Sequence, residues 1–383
     1  MASTARSGKG NQSKTFALHQ TQEAGTDLRP IFINGRFVTQ RVTGTQRYAH
    51  ELLDQLDVLL TRSASPPSVT MLVPRSNGPL PSYRKIRLSQ VGRFSGQLWE
   101  QFELPFYARG GILVTLVGGS PVLHRRNILT IHDAAVFASP QSFSRGFRLW
   151  YQFLYRRMCH KALQVLTVSH FSKAELIKHC KADPEKITVT YLGSEHALRP
   201  TPEPGVLTSN RLRPFKYVLA VSSRNPSKNL PGLLGALPYL ADTDFDVAIA
   251  GQSYKKVFGE LRISGDRVRD LGYVNESELR SLYEHAACFA FPSFYEGFGL
   301  PPLEALALGC PAVVANTGSM AEVFGPVAFL CDPHDSSTIA EMIRLASETP
   351  QEQREGYRAF ANGFRWSECA TITWSVIFQY AQD

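Results

Sequence analysis

Two series of short apolar runs, several of them separated by helix-like stretches, constrain the fold of this chain more than any other feature. In the first series Arg29–Ile33, Val69–Val73, Ile112–Val117, Asn127–Ile131, Gln164–Val168 and Ile187–Thr190 read as strands. From about Thr45 to Leu60, Tyr48, Leu52, Leu53, Leu56, Leu59 and Leu60 recur at helical spacing, and Phe147–Ala162 and Ser172–His179 are helical as well. In the second series Tyr217–Val221, Asp246–Ala250, Val268–Leu271, Cys288–Phe291 and Ala312–Val314 are strand-like, and Leu230–Leu240, Ser277–His285, Leu303–Leu308 and Ser337–Ser347 are helix-like. Strands alternating with helices imply a parallel sheet covered on both faces. Residues 199–214, with four prolines and a glycine, read as the linker between the series. The expected fold class is α/β, with two domains facing across a cleft and ligands held at the C-terminal ends of the strands.

Composition supports this size of core. The chain has 383 residues, 43% of them hydrophobic, which is long for one core. Residues 1–27 are polar, lack the apolar stretch of a signal peptide and read as a disordered tail. Cysteines at 159, 180, 288, 310, 331 and 369 form no C-x-x-C pair and read as reduced thiols, so a cytoplasmic protein is expected. No apolar run reaches the roughly 20 residues of a membrane span. Charge is uneven: residues 28–200 hold 23 Lys and Arg against 10 Asp and Glu, whereas 201–383 hold 15 against 21. A basic first half suits phosphates or an anionic membrane, or is simply a solvated surface.

The segment that carries chemistry is Phe291-Pro-Ser-Phe-Tyr-Glu-Gly-Phe-Gly-Leu-Pro-Pro-Leu-Glu304. An apolar strand enters a turn with Gly297 and Gly299, and Pro301 and Pro302 open a helix, where proline is tolerated. Backbone N–H groups at such a start are unpaired and suit a diphosphate. Glu296 lies before the helix and Glu304 within its first turn, and carboxylates accept hydroxyl hydrogen bonds from a sugar or a ribose. The plainer alternative is an ordinary strand–turn–helix with a solvated acid.

This E-x7-E motif, with Gly-Phe-Gly-Leu-Pro inside it and Glu-Ala-Leu-Ala-Leu-Gly-Cys-Pro after it, resembles the retaining glycosyltransferases of family 4 (GT4), over about residues 29–380. The resemblance implies the GT-B fold, two Rossmann-like domains facing across a donor-binding cleft. It implies an acceptor-side domain at 28–198, a nucleotide-sugar domain at 215–365 and a C-terminal helix at 366–383 that packs back on the first domain. It assigns Glu296 to the sugar and Glu304 to the ribose, with Phe298, Gly299 and Leu300 near the phosphates. Lys228 matches the family lysine for the diphosphate; the family arginine is replaced by Ser223, and Arg224 is the candidate substitute. Gly272-Tyr273-Val274 resembles the segment that cups the base, and Gly251 lets backbone approach the donor. His132, in the strand-like Leu129–Asp133 that ends in His-Asp, matches a histidine near the donor sugar and is a candidate to donate a hydrogen bond to a sugar hydroxyl or to help stabilise developing charge. Asp133 orients sugar, acceptor or histidine. Thr43-Gly44-Thr45-Gln46-Arg47 resembles a loop near the phosphates, although Thr43 or Thr45 equally suits a helix cap.

The mechanism implied is a front-face displacement with retention, with no metal or other cofactor, and no cluster of His, Cys and Asp suggests one. Expected partners are a nucleotide sugar and a glycan or polyprenyl-diphosphate-linked acceptor, with no nucleic acid. By analogy the sugar is mannose or a deoxyhexose in bacterial surface polysaccharide synthesis. Arg145–Lys161, with five Lys and Arg, no acid and interleaved aromatics, is either an amphipathic core helix or a surface for an anionic membrane. A nucleotide-sugar 2-epimerase, a two-lobed nucleotide-sugar-binding protein and a catalytically silent relative are the competing readings.

Overall fold

The computed structural model describes residues 28–222, 225–251 and 266–382. The tail 1–27, Ser223 and Arg224 lie outside the described residues. Two parallel sheets are present. The first has seven strands in the order β3-β2-β1-β4-β5-β6-β7: β1 Ile31–Asn34, β2 Val69–Pro74, β3 Arg87–Val91, β4 Ile112–Thr115, β5 Asn127–Thr130, β6 Gln164–Thr167 and β7 Ile187–Val189. The second has six in the order β10-β9-β8-β11-β12-β13: β8 Tyr217–Val221, β9 Asp246–Ala250, β10 Val268–Gly272, β11 Cys288–Phe291, β12 Ala312–Ala315 and β13 Phe329–Cys331. Each order reverses once, between β1 and β4 and between β8 and β11, and a sheet of this kind opens a crevice at its reversal.

The central strands are buried along their whole length, β4, β5, β6, β11 and β12 at every residue. That is why they read as unbroken apolar runs. Helices α1 (Gly44–Arg62), α2 (Arg145–Lys161) and α3 (His170–Cys180) belong to the first sheet. Helices α4 (Glu276–His285), α5 (Leu300–Ala307), α6 (Gly318–Phe324), α7 (Ser336–Ser347) and α8 (Arg354–Ala361) belong to the second. The last helix, α9 (Trp366–Ala381), returns to lie against α1, and the Ala381 carbonyl accepts from Arg29 N–H at 3.0 Å.

Three expectations change. Residues 199–214 are not an open linker: Gly205–Ser209 is a helical turn, and Val206, Leu207 and Leu212 are buried in the core. Leu230–Leu240 is not one helix; it breaks into Leu230–Gly235 and a 3-10 turn at Leu237–Leu240, because Pro238 has no N–H to continue the ladder. Glu304 is the fifth residue of α5, just past the first turn in which the sequence placed it, because the helix starts at Leu300, ahead of both prolines.

Candidate functional site

The two loops with the conspicuous residues leave the second sheet at its reversal, one after β8 and one after β11. They are laced together. Phe294 N–H donates to the Ser227 carbonyl at 2.8 Å, and Asn229, held at φ 52°, donates its amide to the Pro292 and Pro333 carbonyls at 3.0 and 2.6 Å. This brings Lys228 Nζ to 2.7 Å from Glu296 Oε1 and 4.8 Å from the centre of the Phe291 ring. The Ser319 hydroxyl fixes the Glu296 carbonyl at 2.8 Å.

At the start of α5 the donors are few and well defined. Pro301 and Pro302 carry no N–H, so the unpaired amides are those of Phe298, Gly299 and Leu300. Gly299 has φ 104°, and a Cβ there would lie 2.5 Å from Met320 Cε, so this turn needs glycine. The Phe298 ring is buried among Tyr191, Phe324 and Phe364; this residue offers a ligand its backbone alone.

The first sheet faces this loop with His132 and Asp133, just beyond β5. Gly297 packs so closely on them that a Cβ would sit 2.6 Å from the His132 carbonyl oxygen. Ser169 and Ser172 hydroxyls donate to the Gly297 carbonyl at 2.6 and 3.2 Å, and the Tyr295 hydroxyl accepts from Ala134 N–H at 3.2 Å. Further along, Glu322 of α6 caps α3 by accepting from His170 and Phe171 N–H. Burial, opposed by its hydrogen bond to the Leu116 carbonyl, takes His132 down to about 4, so the ring is neutral near neutrality. A carbonyl only accepts, so Nε2, 3.0 Å from that oxygen, carries the hydrogen and Nδ1 is the lone-pair nitrogen. The expected donor therefore becomes an acceptor. Asp133 accepts from Ala135 N–H at 2.8 Å, and burial raises its carboxyl above the ordinary range.

Glu304 is held quite differently. His196 Nε2 lies 2.9 Å from Oε1, and the Tyr283 hydroxyl donates to Oε2 at 3.1 Å. Burial opposes ionisation here, but the hydrogen bond from His196, with the Arg47 charge and the Tyr283 hydroxyl, outweighs it and holds the carboxyl below its usual value. Neither His196 nor Tyr283 stood out in the sequence. They come from a turn 108 residues away and a helix 21 residues away, with no local spacing to mark them.

The remaining candidates fall around these two carboxylates. Gly44 is the first residue of α1 and abuts Leu300, with Thr43 and Gln46 forming a reciprocal cap. Arg47, one turn on, bridges the domains to Glu276. Gly251 is required by its own surroundings: a Cβ would meet the Ser222 carbonyl at 2.1 Å, at the end of β8. Tyr273 projects into solvent beneath the Arg41 guanidinium, 5.1 Å from its ring centre, and Val274 packs on the core. A pocket of ≈ 520 Å³ lined by Arg47, Glu51, His196, Arg199 and Glu276 adjoins Glu304 through a recess of ≈ 40 Å³. A cavity of ≈ 670 Å³ lies elsewhere, between α3 and α9, and touches none of these candidates. Among the described residues no group of three or more His, Cys, Asp and Glu is placed to hold a metal.

Comparison with known proteins agrees with this geometry. Residues 42–198 match the family described as Glycosyltransferase Family 4, and residues 209–362 match Glycosyl transferases group 1. The O-antigen chain mannosyltransferase B of Escherichia coli is 32% identical over 262 residues, 65% of this chain and 69% of that protein. A second O-antigen chain mannosyltransferase, from Salmonella typhimurium, is 28% identical over 236 residues, 60% of this chain and 63% of that one. The Anabaena HepE structure, solved with UDP and glucose, superposes with a TM-score of 0.64 over 91% of this chain and 98% of that one, at 16% identity. With two parallel sheets, each reversing its order once, and both halves matched, the chain belongs to the glycosyltransferases of family 4 and has the GT-B fold.

Proposed function

We propose that this protein transfers a hexose, mannose in the first instance, from a nucleoside-diphosphate sugar to a hydroxyl of a glycan or lipid-linked acceptor in surface polysaccharide synthesis. The observation that carries the reading is the Lys228–Glu296 pair at the reversal of the second sheet, facing His132 and Asp133. The donor's diphosphate takes Lys228 and the amides of Phe298, Gly299 and Leu300; Glu296 accepts from the sugar hydroxyls and Glu304 from the ribose. The bond from the anomeric carbon to the phosphate oxygen breaks, and the acceptor oxygen forms its bond on the same face. The acceptor's proton passes to the departing phosphate oxygen, and the configuration is retained. Lys228 stabilises the charge that builds on the leaving diphosphate, and Arg224 is placed by sequence to assist. The Escherichia coli and Salmonella mannosyltransferases named above support mannose as the sugar.

The test is Glu296→Gln. It keeps the volume and removes the charge, and turnover should fall by about 10²-fold with radiolabelled GDP-mannose and a lipid-linked glycan acceptor. Near-normal turnover overturns the assignment. Product formed without acceptor turns the reading to a 2-epimerase.

A lipid-linked acceptor brings the enzyme to a membrane surface. Leu98, Phe102 and Phe106 form an exposed row along the helical stretch 96–107, and Phe147, Leu149 and Phe153 are exposed on α2. Gln97 reaches the Tyr151 hydroxyl at 3.3 Å, so the two helices adjoin, and Arg145, Arg148, Arg156 and Arg157 flank the apolar residues. Aromatic residues beside cations suit an anionic bilayer. No helix among the described residues is long and apolar enough to cross one. Flotation with anionic liposomes at low salt should carry the protein upward; failure to float removes this partner.

A further inference from the structure

Both places where the chain passes between the domains meet at Glu304. The first passage carries His196, in the 3-10 turn Glu195–Leu198 that follows the first sheet. The second carries Trp366, the first residue of α9. Trp366 Nε1–H donates to His196 Nδ1 at 3.1 Å, and an indole nitrogen can only donate. Nδ1 is therefore the acceptor, and the ring's hydrogen is on Nε2, directed at Glu304 Oε1 2.9 Å away. Trp366 is itself fixed, since its backbone N–H is shared between the two oxygens of Glu195 at 3.1 Å each. Trp366 is 1% exposed and His196 6% exposed, so water does not compete for these bonds. The Tyr283 hydroxyl restrains the other oxygen at 3.1 Å.

A carboxylate offers about four lone-pair positions. Two are taken here by the His196 and Tyr283 hydrogens, and the Glu304 side chain keeps 16% of its surface accessible, at the recess that leads to the pocket beside Arg47. We propose that His196 is a positioning residue for the donor: with its tautomer set by Trp366, it fixes the Glu304 carboxylate so that the remaining lone pairs meet the ribose diol. The inference rests on the assignment of Glu304 to the ribose. It gives His196 no contact with the reacting atoms, so its effect falls on donor affinity.

The experiment compares the binding of GDP and UDP with that of their 2′,3′-dideoxy counterparts by titration calorimetry, in the wild type, His196→Ala and His196→Gln. Glutamine can present an N–H near the position of Nε2. In the wild type, loss of the diol should weaken binding about tenfold, as expected for hydrogen bonds to a charged acceptor. In His196→Ala that ratio should shrink to about threefold or less, and in His196→Gln it should return towards the wild-type ratio. Donor KM should rise in His196→Ala while kcat changes little. A structural defect alone would weaken the ribo and dideoxy ligands equally. Should His196→Ala fail to fold, Trp366→Phe keeps an aromatic ring, releases the tautomer and should shrink the same ratio. An unchanged ratio in the variants overturns the role of His196 and leaves the ribose assignment standing. A wild type that does not distinguish diol from dideoxy, or binds neither nucleotide, overturns the ribose assignment and this inference with it.

Discussion

The two glutamates of the E-x7-E segment are eight positions apart and have opposite surroundings. Glu296 pairs with the ammonium of Lys228 at the seam between the domains; Glu304 is braced by hydrogen bonds from His196 and Tyr283, where the chain crosses between them. The difference teaches how the same residue type can do two jobs. The Lys228–Glu296 pair is a charge arrangement that a diphosphate sugar can re-partition: phosphate takes the ammonium, and the sugar hydroxyls take the freed carboxylate. Charges exchange partners without being stranded, which limits the desolvation cost of binding. Glu304 is bonded to no lysine or arginine among the described residues, although the Arg47 charge helps to hold it ionised. Its bracing leaves lone pairs in place before the ligand arrives, and that preorganisation reduces what binding must spend on ordering.

The largest effect should come from breaking the exchange at Glu296. Lys228→Met removes the cation that receives the departing charge, and kcat should drop by about 10²–10³-fold in a turnover assay with saturating donor. A loss below about threefold would mean that the leaving group is stabilised elsewhere, and the contrast between the two carboxylates would lose its basis. Glu304→Gln should act on the other axis. The donor KM should rise about tenfold while kcat stays within about twofold, because a ribose contact is made equally in ground and transition states. An equal fall in kcat and kcat/KM would instead make Glu304 part of the transition-state machinery and merge the two roles.

The same contrast explains what the sequence could show. Glu296, Gly299, the prolines and Glu304 lie within one strand–turn–helix, so their spacing was visible along the chain, and Lys228 was visible because its loop follows an apolar strand in the same way. Buried strands such as β8 and β11 were legible to the residue because nothing polar interrupts them. The edges were not. β3, Arg-Leu-Ser-Gln-Val, is exposed or half-buried at every residue and has no apolar run, and β13 has three residues. The helical stretch 96–107 was missed since a π-helical segment, Trp99–Glu103, interrupts its 3.6-residue period. The bracing of Glu304 by His196 and Trp366 spans 108 and 62 positions and exists only once the two domain crossings meet. Gly251 and Gly297 show the converse case. Each was conspicuous as a glycine, but only the structure shows that the first accommodates Ser222 and the second accommodates His132.

The smallest effect is a pH dependence on the Glu296 side of the comparison. Burial, against the Leu116 hydrogen bond, lowers His132 from its ordinary 6.5 to about 4. Between those values the unfolded chain binds a proton at this imidazole that the folded protein does not. The unfolded state therefore gains as pH falls, and stability is lost from about pH 6.5 down to about 4, with no further loss from this group below that. Glu100 works in the opposite sense. Burial raises it from 4.5 to about 7 despite Arg36 and Asn34, so the folded state holds a proton there that the unfolded state has released, and stability is lost as pH rises through that window. A wild-type melting curve over pH 4–7 mixes the two. Glu100 is present in both wild type and His132→Asn, so the difference between their melting temperatures isolates His132. The variant should track the wild type from pH 7 to 6.5 and then decline less steeply towards pH 4. Parallel curves would show that the ring takes up its proton in the folded state. A cationic His132 would then stand on the same side of the seam comparison as Lys228, and the exchange of Lys228 between Glu296 and the diphosphate would no longer describe that side alone.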